Sequence, residues 1–298
     1  MTTPIAAEGE GRAAFERLLG DLRPRLHRYC ARMTGSVIDG EDAVQDAIVK
    51  AIEAYDAAVD NPERWLFRIA HNAAVDLLRR RGRRQAVAAD EDLEMIVDPA
   101  NAADARQIVG AGLRTFMRLP VAQRSAVILM DVLGYSLKEI AAILDASIPA
   151  VKAALHRGRE RLRELAEEPD ERPPPVLSGS ERMLLAAYVE RFNARDFDAI
   201  RDMLADEVRL ELVARTRMSG RREVGTYLHN YARTGDWRLV MGFVERRPAI
   251  LVCDPADPSG GPSYFVLLEW QDGKLFRIRD FRYARYAIEG AELSTLTR

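Results

Sequence analysis

Only two cysteines occur in the 298 residues, Cys30 and Cys253, and they lie far apart. This scarcity excludes a disulfide framework and favours a reducing compartment, so we expect the cytoplasm. No apolar run approaches the length that crosses a bilayer. The first twenty residues contain acidic side chains and no long apolar core, so we expect no secretion signal there.

The sequence also lacks an excess of charge of one sign, since 44 Lys and Arg and 46 Asp and Glu give a formal net charge of −2. The charge is clustered instead. Residues 65–84 and 152–165 are basic, and residues 86–105 between them are acidic without a single basic residue. Nucleic-acid binding depends on local basic clusters, so this composition permits it.

Residues 12–84 have apolar side chains at three- and four-residue steps, which predicts an all-helical domain. We expect Asp39 to cap its second helix, because an aspartate there can accept hydrogen bonds from free backbone N–H groups. Asn61 and Pro62 are expected to start the third, since proline is tolerated in a first turn.

A second helical domain is predicted over residues 108–167. Gly134 ends one helix, and Ser136 with Glu139 forms a capping box at the start of the next. A short turn at Asp145 and Ala146 then leads to a basic helix that Ser147 can cap. Two helices joined by about three residues, the second one basic, are typical of a helix-turn-helix.

The remainder changes character after a linker rich in proline and charge, residues 168–180. Residues 181–298 begin with helical patterns, with Ser178 and Glu181 as a capping box for the first. Alternating strand-like runs follow. The fold class is therefore a multidomain protein: two all-α domains and an α+β cone-shaped domain with a curved, mostly antiparallel sheet.

Three stretches of the first 165 residues resemble the extracytoplasmic-function (ECF) sigma factors of RNA polymerase: DGEDAVQDAIVKAIEA, NPERWLFRIAHNAAVDLLRRRGRR and LPVAQRSAVILMDVLGYSLKEIAAILDASIPAVKAALHRGRERL. The resemblance implies sigma domain 2 over residues 12–84, an acidic linker over 85–107 and sigma domain 4 over 108–167. It implies a subunit that binds core RNA polymerase and promoter DNA and directs initiation without catalysis, metal or cofactor.

The resemblance also implies which residues act. Core polymerase docking falls to Asp42, Gln45 and Asp46. The minus-10 element is contacted by Arg68, Asn72, Arg79, Arg80, Arg83 and Arg84, and the minus-35 element by Arg124, Lys152, Ala153, His156 and Arg157. The arginines can pair with phosphates, whereas Lys152 or Arg157 can donate to guanine. Trp65 lies on the apolar stripe and is expected in the core.

The sequence departs from the family pattern at three positions. Ala153 and Ala154 stand where polar or basic residues are frequent, which implies fewer hydrogen bonds to bases. Asp145 replaces a common turn glycine, but aspartate tolerates the left-handed conformation, so the turn should form.

Residues 181–298 resemble the SnoaL-like superfamily by order of elements. In ECF sigma factors such a domain is thought to modulate the sigma domains, so we expect an intramolecular contact between them and no membrane partner. Its pocket candidates are Tyr227, His229, Trp237 and Asp280, and the ligand, if there is one, is unknown. Two other functions stay open: a helix-turn-helix regulator that binds duplex DNA alone, and a cone-fold enzyme with a DNA-binding leader.

Overall fold

The computed structural model describes residues 4–56, 59–82, 112–166, 172–235 and 237–296. The chain divides into two compact units, Met1–Asp170 and Glu171–Arg298, which we call the helical unit and the C-terminal unit. The helical unit contains both predicted helical domains, and the C-terminal unit contains the predicted α+β domain. Within the described ranges, none of the helices has the length and apolar character to cross a membrane.

The helical unit begins with α1 (Pro4–Thr34), α2 (Val37–Glu53) and α3 (Pro62–Gly82). The expectation that Asp39 caps α2 is wrong. Ser36 is the cap, because its Oγ accepts the Asp39 N–H at 3.2 Å. The Asp39 carboxylate instead pairs with Arg81 of α3. The start of α3 is confirmed, since Asn61 Oδ1 accepts the backbone N–H of Arg64 at 2.9 Å.

The second half of the helical unit contains four α-helices: α4 (Leu113–Met117), α5 (Val121–Val127), α6 (Leu137–Leu144) and α7 (Ile148–Ala166). Helix α5 continues into a π-helical turn (Ile128–Val132). The capping box of Ser136 and Glu139 is confirmed at the start of α6. Asp145 adopts the left-handed conformation, with φ of 55°, so the turn between α6 and α7 forms without glycine. This is the predicted helix-turn-helix.

The two helical halves share one hydrophobic core. Phe67 of α3 lies edge-on to Tyr135, with ring centroids 5.2 Å apart. The Tyr135 hydroxyl donates to Glu63 at 2.5 Å, and Arg25 of α1 donates to the same carboxylate at 2.7 Å. The structure therefore packs the two segments that the sequence separates into domains as a single unit.

Gly158 brings α7 close to α5. A Cβ at this position would lie 2.8 Å from Cγ2 of Val127 and 3.3 Å from Cβ of Gln123. Real Cβ atoms do not approach neighbours at 2.8 Å, so a side chain here would push α7 away from α5. The absent side chain thus sets the position of the helix predicted to read the minus-35 element.

The C-terminal unit contains α8 (Gly179–Asn193), α9 (Phe197–Met203), β1 (Leu204–Leu212), β2 (Thr216–Ser219), α10 (Arg221–Leu228), a 3-10 helix (His229–Arg233), β3 (Arg238–Val244), β4 (Arg247–Cys253), β5 (Pro262–Gln271), β6 (Lys274–Asp280), a second 3-10 helix (Arg285–Ile288) and β7 (Leu293–Thr295). The strands form one sheet in the order β2-β1-β6-β5-β4-β3-β7. Among the described strands, β1 and β6 are parallel and the other pairs antiparallel. Register shifts in three of these pairs bend the sheet, which confirms the predicted curved, mostly antiparallel architecture.

Aromatic rings pack together in the core of this unit. Phe192 of α8 lies 5.0 Å from Trp237 and 5.2 Å from Tyr231, centroid to centroid. Strand β6 ends at Asp280. The cause is local, because Asp280 Oδ1 accepts the backbone N–H of Arg282 at 2.8 Å and the chain turns there.

Arg124, at the start of α5, is 5% exposed. Its guanidinium donates to the backbone carbonyls of Met33 at 2.6 Å, Leu119 at 2.8 Å and Met117 at 3.2 Å. Burial lowers the pKa of Arg124 to about 10, so it stays charged at neutral pH. The guanidinium is therefore not open to a phosphate in this packed arrangement, and a phosphate contact requires the helical unit to rearrange.

We predict that Arg124→Met destabilises the protein by roughly 3–5 kcal/mol, because three buried carbonyls lose a charged donor while the apolar stem is kept. Urea unfolding monitored by circular dichroism measures the loss. Arg114→Met, at an exposed position of α4, is the matched control and should change stability by less than about 0.5 kcal/mol. Equal effects of the two substitutions would contradict a stabilising role for Arg124.

Candidate nucleic-acid and polymerase interface

The residues predicted to dock on polymerase lie on the outer side of α2. Asp42 and Gln45 are half-buried and Asp46 is exposed. Two apolar side chains continue the same side of the helix at three- and four-residue steps, namely Val49, 44% exposed, and Ile52, 39% exposed. We call these five residues the α2 face. The apolar spacing of this helix predicts that Ile52 is buried and does not single out Val49, so the exposure of both is a finding of the structure.

The polar groups of the α2 face are held by arginines of neighbouring helices. Gln45 accepts a hydrogen bond from Arg23 of α1 at 2.8 Å. Asp46 pairs with Arg80 of α3 at 3.4 Å, so a predicted docking residue and a predicted minus-10 residue lie side by side. Such exposed pairs contribute little to stability, so a stronger partner can replace either member.

Helix α3 presents its predicted DNA-contacting residues on the surface. Asn72, Arg79 and Arg80 are exposed, whereas Arg83 and Arg84 lie outside the described residues. Arg68 is also exposed, and its guanidinium pairs with Asp145 of the helix-turn-helix turn at 3.0 Å. Trp65 packs against the core, with its ring 6.2 Å from Phe15, which confirms the packing role.

In α7, Lys152 is exposed, while Ala153, His156 and Arg157 are half-buried. His156 Nδ1 lies 4.0 Å from a Glu160 carboxylate oxygen. These predicted minus-35 residues lie together on one side of the helix, as their spacing requires.

Ala154 is 7% exposed and belongs to the core. An alanine there fills interior space, so it removes no hydrogen bond to a base. The first turn of α7 is exposed instead, including Ile148 at 37%, which sequence reasoning did not single out.

His71 connects the two halves of the helical unit. Its Nδ1 lies 2.8 Å from the Tyr29 hydroxyl and 3.4 Å from Oγ of Ser125 in α5. Burial lowers the pKa of His71, because desolvation disfavours the imidazolium. The neutral ring is therefore the form that fits the packed unit.

The four pocket candidates of the C-terminal unit separate into two groups. Asp280 is buried beneath Tyr231, whose hydroxyl donates to Oδ2 at 2.5 Å, and Tyr227 lies nearby with its ring 5.8 Å from that of Tyr231. His229 is exposed, and the buried Trp237 donates its indole N–H to Thr234 Oγ1 at 3.1 Å. Among the residues with described placement, no group of His, Cys, Asp and Glu could hold a metal ion.

These elements have recognisable counterparts in known proteins. The family model for Sigma-70 region 2 matches residues 18–84. The model for Sigma-70 region 4 matches residues 113–162. The first match covers α2 and α3, and the second covers the helix-turn-helix.

Relatives extend the similarity further. The ECF RNA polymerase sigma factor SigG of Mycobacterium tuberculosis is 29% identical over 82% of this chain and 76% of its own. SigM of the same species is 36% identical over 54% of this chain and 82% of its own. Among solved structures, M. tuberculosis SigJ is similar over 87% of this chain and 93% of its own, with 18% identity and a TM-score of 0.35.

The protein is thus a transcription initiation factor rather than an enzyme, with sigma regions 2 and 4 in its helical unit. It belongs to the ECF RNA polymerase sigma factors. As a member of this family it binds core RNA polymerase and promoter DNA and directs promoter-specific initiation.

We predict that acid destabilises the protein partly through His71. The unfolded histidine titrates near pH 6.5 and the folded one lower, so below about pH 6.5 the unfolded state binds more protons. Stability is therefore full above that pH and falls as pH drops toward the folded pKa. Urea midpoints measured from about pH 7.5 to 5 should decline, and His71→Gln should flatten the decline. An unchanged pH slope in this variant would refute the assignment.

Proposed function

We propose that the α2 face is the surface that docks on core polymerase. This proposal is supported by the combination of carboxylates and exposed apolar side chains on the α2 face. Val49 and Ile52 provide contact area that a partner can bury, whereas Asp42 and Asp46 select a basic partner surface. A merely solvated helix face gains nothing from two exposed β-branched residues. We infer that Arg80 leaves Asp46 when the partner arrives.

We further propose that α3 acts on the minus-10 element and α7 on the minus-35 element. Asn72 is exposed and can hydrogen-bond the edge of an extruded base, while Arg68, Arg79 and Arg80 contact phosphates. In α7, Lys152 is the exposed donor for a guanine in the major groove. His156 and Arg157 are half-buried and contact the minus-35 element beside Lys152. Ala153 lies against the same element but has no side-chain hydrogen-bonding group.

Contact with both promoter elements requires the two halves of the helical unit to separate. The elements named minus-10 and minus-35 lie about 25 base pairs apart, which is about 85 Å of duplex. A compact unit of this size spans only about 40 Å. Residues 83–111 connect the halves, and a chain of that length reaches about 100 Å when fully extended. Separation would also release Arg68 from Asp145 and expose Arg124.

The C-terminal SnoaL-like domain is proposed to modulate this step through an intramolecular contact with the helical unit. We also propose that the protein acts in the cytoplasm, where its polymerase partner is. The scarcity of cysteine agrees with a reducing compartment.

Ile52→Asp should weaken binding to core polymerase at least tenfold, because it places a charge in the apolar part of the α2 face. Fluorescence anisotropy with labelled protein and purified core enzyme measures the affinity. Met183→Asp, at a 70% exposed apolar position of α8, is the matched control and should bind like the unaltered chain. Equal affinity of the Ile52 variant would contradict docking by this face.

The modulatory role is tested by transcription in vitro from a promoter selected from genomic fragments. The full chain is compared with a chain ending at Glu168. We expect both to initiate at the same site, because the proposed reading elements precede residue 167, but with yields that differ at least twofold. Equal yields at every protein concentration would eliminate modulation by the C-terminal domain.

A further inference from the structure

The first turn of α7 is an exposed apolar surface at the end of the helix-turn-helix. Ile148 is 37% exposed, and Pro149 and Ala150 are exposed as well. The buried Val151 and Leu155 hold the same helix against the core. Exposed apolar side chains are ordinary on a protein surface, so the position and the neighbours of this turn decide what it does.

Helix geometry joins this apolar turn to the predicted minus-35 residues. Ile148 lies one turn before Lys152, and Pro149 lies one turn before Ala153, because residues four apart share a face of a helix. Lys152 is exposed and Ala153 is half-buried. We call Ile148, Pro149 and Ala153 the apolar patch. The apolar patch therefore lies on the side of α7 that carries the predicted minus-35 residues.

The start of α7 offers few hydrogen-bond donors to DNA. Lys152 has the only side-chain hydrogen-bonding group in residues 148–153. Pro149 has no backbone N–H, and the backbone N–H of Ala150 donates to Ser147 Oγ at 3.3 Å. A helix start that binds a phosphate uses its free N–H groups, so this one is poorly suited to that role. Contact of this turn with a base edge must therefore be largely apolar.

The chemistry of the major groove selects the base that such a surface fits. A recognition helix places its N-terminal residues against base edges in that groove. Thymine presents a C5-methyl group there, whereas guanine, adenine and cytosine present hydrogen-bond donors and acceptors. An isoleucine that gains contact with a methyl group loses no hydrogen bond, but against the other bases it would cover polar groups without satisfying them.

We propose that the apolar patch reads thymine in the minus-35 element, with the Ile148 side chain packed on the C5-methyl group. Ile148 is then a specificity-determining residue. This inference rests on the proposed action of α7 on the minus-35 element, and it adds which base the first turn selects and by which contact. Lys152, one turn further along, donates to a neighbouring base, so selectivity combines one donor with a methyl contact.

The test replaces thymine by deoxyuridine, which pairs with adenine in the same way but lacks the C5-methyl group. Holoenzyme formed from the full chain and core polymerase binds a promoter selected from genomic fragments, and each minus-35 thymine of either strand is replaced in turn. Equilibrium competition between duplexes measures relative affinity. We expect at least one replacement to weaken binding about threefold, the effect of one buried methyl group. The proposal is overturned if no replacement weakens binding, or if the selected element contains no A·T pair.

Ile148→Ala connects the methyl group with the side chain that reads it. Holoenzyme with this variant should bind the thymine promoter about threefold more weakly, and deoxyuridine should cause no further loss. Val121→Ala is the matched control, because Val121 is 38% exposed and begins α5 as Ile148 begins α7. The control should distinguish thymine from deoxyuridine as the unaltered chain does. An Ile148 variant that still distinguishes the two bases would refute the assignment.

Lys152→Ala separates failure of this inference from failure of the proposed function. If α7 reads the minus-35 element, this substitution weakens binding of the thymine and the deoxyuridine promoters alike. Weaker binding by this variant, together with no effect of deoxyuridine on the unaltered chain, would overturn the methyl contact and leave α7 on the minus-35 element. No effect of either Ile148→Ala or Lys152→Ala would overturn both proposals.

Discussion

The charge of Arg124 must stay compensated inside the helical unit, and much of the packing there follows from this requirement. Its guanidinium contacts the carbonyl of Met33 near the end of α1 and those of Met117 and Leu119 around the end of α4. A buried cation that loses one of several acceptors is costly, so these chain segments keep or lose their positions together. Phe67 and Tyr135 belong to the apolar core that the two halves of the helical unit share.

The sequence predicted correctly the features that depend on a few neighbouring residues. The capping boxes at Ser136 and Ser178 and the left-handed Asp145 depend on a few neighbouring residues and were all predicted. Asp39 was predicted as a cap because an aspartate at a helix start can cap, but Ser36 caps α2 and the Asp39 carboxylate pairs with Arg81. The edge strands β2 and β7, of four and three residues, were missed because such short runs carry almost no periodic signal.

In the candidate sites, too, the features set by neighbouring residues were predicted and those set by distant contacts were not. Spacing along a helix placed Asp42, Gln45 and Asp46 on one side of α2, but it could not show that Ile52 is exposed, since an isoleucine on an apolar stripe is normally buried. A charged Arg124 suggested a surface contact, and no sequence pattern reveals that its guanidinium is buried against the carbonyl of Met33, 91 residues away. In the C-terminal unit, Tyr231 escaped attention because its bond to Asp280 spans 49 residues.

The parallel pairing of β1 with β6 has a consequence for the order of synthesis. Strand β1 is complete at Leu212, but its parallel neighbour ends only at Asp280. The ribosome therefore finishes the helices of the sigma unit more than a hundred residues before the sheet can close. At ordinary bacterial elongation rates this interval is about 10 s. Each newly made molecule passes through a period in which its promoter-reading part can fold while its C-terminal unit cannot.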